Sequence, residues 1–149
     1  MTATISQCLG ELKTLLTTAA IADVVYDYRT FPGKLTTAVT LSYQGGSPNG
    51  GGGNTAAGNG GFYDITAVCL VQAAINDSGV VTETAQRTAE QSLNTLENAL
   101  YALLGKGGAA NRGTYWINVA FVAPSMRPPS PVEAPATRWV NVPFRLILK

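Results

Sequence analysis

Histidine is absent from this chain of 149 residues, and charged residues make up only 13% of it. The first absence removes the commonest general base and the commonest metal ligand. Cysteine is nearly absent too: Cys8 and Cys69 stand alone, and without histidine they form neither a zinc site nor a thiolate–imidazole pair. Their apolar surroundings suit two buried free thiols, with a single disulfide as the alternative. No apolar run reaches the ~18 residues that a membrane-crossing helix needs. The opening stretch MTATISQCLGELKTLLTT lacks a basic region and carries Glu11, so it reads as a folded helix and not as a signal peptide. The charged share is about half the ~25% of an ordinary domain, which eases desolvation against another protein and favours an oligomer or a part of a larger assembly.

The remaining routes to catalysis close in turn. The serines lack the spacing of a nucleophile elbow. A glycine-rich stretch at 45–61 lacks the Gly-Lys-Ser/Thr ending that would hold phosphate and magnesium, and no helix follows it. Asp23 and Asp27 could neighbour one another, but a carboxylate pair there is more simply a surface feature. The expectation is a protein with no catalytic, cofactor-binding or metal-ligating residues.

Hydrophobic spacing marks the elements. Ile5, Leu9, Leu12, Leu15 and Leu16 predict a helix over about 4–19, capped by Thr4 or Ser6. Val24 to Tyr28 is a short strand ended by Phe31-Pro32-Gly33. Residues 36–43 alternate as a strand. The segment 45–61, nine glycines in seventeen residues without a charge or an aromatic, predicts a mobile loop at the tip of a long hairpin. Residues 62–75 form the most apolar strand, expected at the centre of the sheet. A Leu-rich amphipathic helix runs from near Thr82 to Leu104 and stops at Gly105. Residues 114–122 and 138–148 supply two more strands, separated by a Pro-rich loop at 123–137; Pro143 predicts an edge or a bulge for the last strand. The sum is a single α+β domain over 1–149, with about five mostly antiparallel strands and both helices on one face.

Several residues stand out as contact candidates. Gly46, Asn49, Gly52 and Asn54 in the glycine run, and Arg127, Pro129 and Arg138 around the Pro-rich loop, are read as partner-facing. Glu83, Glu90 and Glu97 recur every seven residues, with Arg87 between the first two, which predicts either a solvated ion-pair ladder or a partner-facing acidic stripe. Trp116 and Trp139 are read as core or sheet-face packing, or as anchors of a subunit interface. Residues 1–104 carry four basic and eight acidic side chains, net −4, while 105–149 carry six and one, net +5. The basic residues are scattered, so no nucleic-acid stripe forms, but the asymmetry could pair copies head to tail.

The order of parts resembles a known family. A leading helix, a VYDY strand with a Phe-Pro turn, a YDITAVCLVQ strand, the AEQSLNTLENALYALL helix, a Trp-bearing strand, a Pro-rich loop and a closing RWVNVPFRLIL strand together look like the tail-terminator and neck proteins of long-tailed bacteriophages, the lambda-like tail terminator group. The likeness spans essentially the whole chain; the glycine run is longer than the pattern leads one to expect. It implies a structural virion protein without cofactor, found in the tail or neck and in host cytoplasm during assembly. It implies a homo-oligomeric ring, usually a hexamer, that ends tail-tube polymerisation and offers a surface to the head connector. Its expected partners are therefore itself, the tube protein and a connector or neck protein, with no membrane and no sequence-specific nucleic acid. A head-completion protein of the same neck, or a small-ligand binding domain, is the alternative.

Overall fold

A computed structural model describes residues 3–26, 37–48, 61–73, 78–127 and 137–149. In chain order it holds α1 (Ile5–Thr18), β1 (Val24–Tyr26), β2 (Thr37–Ser47), β3 (Phe62–Gln72), α2 (Glu83–Leu104), β4 (Trp116–Ala120) and β5 (Thr137–Leu148). Both helix starts follow from side-chain caps. Thr4 Oγ1 accepts from Gln7 N at 3.2 Å while Thr4 N donates to Gln7 Oε1 at 2.9 Å, a reciprocal box that satisfies two orphan donors. Thr82 Oγ1 accepts from Ala85 N at 3.1 Å and opens α2.

The five strands form one sheet in the order β1-β2-β3-β5-β4. The expected mostly antiparallel sheet is corrected here: the sheet is mixed, because β1 and β2 run parallel. Hydrophobic alternation says nothing of direction. The pair is fixed instead by a local clasp, in which Asp23 N donates to Thr37 Oγ1 at 2.9 Å and Thr37 N donates to Asp23 Oδ2 at 3.0 Å. The central pairings, β2 with β3 and β3 with β5, are antiparallel. Thus the strands on either side of the glycine run do pair with each other, and they reach into it: Gly45, Gly46 and Ser47 belong to β2, past a bulge at Tyr43/Gly45 where Gly45 takes φ 121°. The rest of the run, 49–60, lies outside the described residues, as does most of the Pro-rich segment, 128–136.

One face of the sheet and both helices share a single core. Residues opposite one another across the ladders bury together: Val39, Cys69 and Val140 in one row, Leu41, Ala67 and Val142 in the next. Cys8, Leu9, Leu12 and Leu16 from α1 and Ala89, Leu93, Leu96, Leu100 and Leu104 from α2 pack onto that face. Each fully buried leucine contributes about 1.5–3 kcal/mol of transfer free energy. These residues recur at i, i+3, i+4 and i+7, so the helical period alone selects the buried stripe.

Pro143 is the informative exception. An edge or bulge was expected for it, yet β5 lies inside the sheet, between β3 and β4. Asn141 exchanges both backbone bonds with Met126, at 2.8 and 2.9 Å. Strand residues two apart point their N–H groups the same way, so Pro143 presents its donorless nitrogen to the β4 side. There the partner strand departs. Ala120 pairs with Arg145, the next bridge is Met126 with Asn141, and residues 121–125 loop out between them. The proline has moved its edge into the interior by displacing its neighbour.

Candidate assembly surface

The acidic series on α2 is where the charged chemistry gathers. Glu83 pairs with Arg87 at 3.1 Å, with both side chains more than half exposed; such a pair contributes about 0.3–0.5 kcal/mol. One and two heptads on, Glu90 and Glu97 are bound within the chain. Arg127 reaches Glu90 Oε2 at 2.8 Å and Glu97 Oε1 at 3.0 Å, and also donates to Asn94 Oδ1. Arg138 lies 3.4 Å from Glu90 Oε1 and donates to Gln86 Oε1 at 3.1 Å. Glu90 therefore ties down residues on both sides of the Pro-rich segment, one arginine to each carboxylate oxygen. The two arginines read as partner-facing thus have partners inside the chain, and so do all three glutamates.

The two tryptophans separate. Trp116 is fully buried, its Nε1 donating to Ala110 O at 3.2 Å and its ring packed so closely on Gly113 that a Cβ there would lie 2.6 Å from it. Of the two readings of Trp116, core packing is the one that its burial within the chain supports. Trp139 is half-buried and opposite Leu70 in the ladder, on the sheet face turned away from the helices. That outer face also carries Asp64 and Arg145, joined at 2.7 and 3.0 Å, with the guanidinium 3.8 Å from the centre of the Phe62 ring.

Gly46 sits in the β2–β3 ladder opposite Tyr63, where a Cβ would strike the Phe62 carbonyl oxygen. The backbone approach, and not conformational freedom, requires glycine there. Asn49, Gly52, Asn54 and Pro129 lie outside the described residues.

Sequence reasoning missed the surface that the looped-out segment creates. Phe121, Val122 and Met126 are 40%, 49% and 65% exposed, three of the five exposed large hydrophobic side chains among the described residues. Phe121 leans on Tyr101 with ring centres 4.9 Å apart. Beside it opens a basin of about 810 Å³ between the loop after α2 and β4, lined by Lys106, Arg112, Ile117 and Val119 among others, with no acidic side chain. The signal available in the sequence was Pro143, whose partner strand had to yield.

Both cysteines are free and buried. Burial pushes the Cys8 thiol up to about 11, helped by nearby Glu11, and the Cys69 thiol up to about 12, helped by Glu97. An acid held neutral by folding adds stability that is complete below its unfolded value of 9.0 and is lost as pH rises through those folded values. Two outcomes follow. Iodoacetamide should leave the folded protein unlabelled at neutral pH and modify both thiols once urea unfolds it, as read by intact mass. Stability should also fall between pH 9 and pH 12 less steeply in a Cys8→Ala, Cys69→Ala double variant.

Among the described residues, no three Cys, Asp or Glu side chains gather as metal ligands, and no helix is long and apolar enough to cross a membrane. No protein-family model matches the chain, and no curated protein is significantly similar to it.

Proposed function

We propose that this protein is a structural component of a phage neck, a hexameric ring that caps the head-proximal end of the tail tube and stops its growth. The observation that carries the reading is the order of parts along the whole chain, from the leading helix through the Leu-rich α2 to the closing β5, with the residue patterns that resemble tail terminators. Three physical features support it. Charge is sparse, so a surface desolvates cheaply. The two sheet edges, β1 and β4, differ in sequence and surroundings, as a head-to-tail contact requires. The chain also offers two segments for docking, the glycine run and the Pro-rich stretch, with the second tethered at both ends to Glu90.

Function in this reading is binding alone. The tube protein meets one side of the ring and a connector meets the other, and assembly stops because the ring offers no further tube-like surface. Adding the purified protein to polymerising tube protein should give tubes of fixed length bearing a terminal ring in electron micrographs. Tubes that keep elongating would overturn the proposal. Replacing residues 49–60 by a short turn, which spares the ladder residues Gly45 to Ser47, should leave the unfolding midpoint unchanged while reducing tube capping. A ring that binds connector but leaves tube length unregulated would instead favour a head-completion protein.

A further inference from the structure

We infer that the β4 edge is one half of the contact between copies, and that it receives the β1 edge of a second copy of this chain; this rests on the ring reading above. The β4 side is a prepared surface. Residues 121–125 are held out from the sheet by Pro143 and anchored at the far end twice, by the Met126–Asn141 backbone pair and by Arg127 on α2. Apolar side chains held outward in this way need no ordering on binding, which lowers the cost of association. A cluster of exposed apolar residues beside an open basin marks a contact site.

The chemistry of the rim selects the occupant. Lys106 and Arg112 line the basin, no acidic side chain does, and Lys106 makes no ion pair among the described residues. A two-fold contact through this edge would set those cations against their own copies. At the opposite edge, with three strands between, Asp23 is exposed just before β1 and no lysine or arginine lies among residues 21–26. Basic edge to acidic edge is the favourable pairing, and it is heterologous, the kind that closes rings. The contact forms through side chains and not by extending the ladder. A register shift falls between Trp116 and Asn118, and Arg112 Nε donates to Ile117 O at 3.2 Å, which occupies a backbone group that an added strand would need.

Paired cysteines test this in the full chain, since the native thiols are buried. Copies carrying Ala123→Cys are mixed with isotope-labelled copies carrying Val24→Cys, oxidised, and read by mass spectrometry and electron microscopy. The expected result is a 123–24 disulfide between differently labelled copies, in closed rings, with Lys106→Glu weakening self-association roughly tenfold. Rings that lack the 123–24 link, or that carry 123–123 links, overturn the edge assignment and leave the ring reading intact. A 123–24 link in open filaments supports the edge assignment and overturns the ring. A chain that stays monomeric in the presence and absence of tube protein overturns both.

Discussion

Replacing Trp116 by alanine should lower the unfolding free energy by about 3–5 kcal/mol, the largest effect of any single substitution proposed for this protein. The side chain is fully buried, pressed on Gly113, and bonded through Nε1 to the carbonyl of Ala110, itself buried. Truncation empties the volume of an indole and leaves that carbonyl without its partner, a further cost of about 1–3 kcal/mol if no water enters. Total stability for such domains is only about 5–15 kcal/mol, so the variant should melt on the order of ten degrees lower. Trp116→Phe separates the two terms, since it keeps most of the packing and loses only the N–H. Thermal and urea unfolding measure both. A loss below about 1 kcal/mol in Trp116→Ala, or a loss seen only in self-association, would mean that the residue lies at an interface after all.

Arg127→Ala should be the second largest, at about 2 kcal/mol. The exposed Glu83–Arg87 pair gives the contrast: Arg87→Ala should change stability by less than about 0.5 kcal/mol. The difference lies in burial and partner number. Glu97 is only 13% exposed, and Arg127 holds it together with Glu90 and Asn94. Without the guanidinium, two carboxylates one helical turn-pair apart are left to repel each other, one of them poorly solvated. A double-mutant cycle of Arg127→Ala with Glu97→Gln isolates the pair, and a coupling of about 1 kcal/mol or more is expected. Additive losses would show that the two side chains do not act together. Because Arg127 also anchors the looped-out apolar segment, its loss should weaken the contact proposed above between copies by more than the stability change alone accounts for.

The sheet's outer face shows why such pairs escape a linear reading. Asp64 and Arg145 are 81 positions apart, and Glu90 and Arg127 are 37 apart. Arg87 and Glu83, four apart on one helix, were legible from spacing. Glu90 was legible as a member of the same stripe, but nothing local distinguishes a glutamate facing water from one facing an arginine that returns from the next strand.

The division between sequence and tertiary structure follows that physics. Local periods determined the helices, their buried leucines and the existence of each strand, because a 3.6-residue or two-residue repeat is written in consecutive residues. The ends of β2 and β4, and the choice of Thr4 and Thr82 as caps, were decided by the folded chain. The lack of histidine determined, without any fold, that the commonest proton carrier is missing. Strand direction and order were decided only in three dimensions. The Asp23–Thr37 clasp makes β1 parallel, and β5 enters the middle of the sheet although its proline suggested an edge. That choice set the surface: Pro143 cannot donate, β4 turns aside, and Phe121 and Val122 become exposed where alternation had placed them in a strand. The same closure buried Trp116 and turned Arg127 inward onto α2. Each outcome depends on contacts between residues distant in the chain, which composition and spacing do not encode.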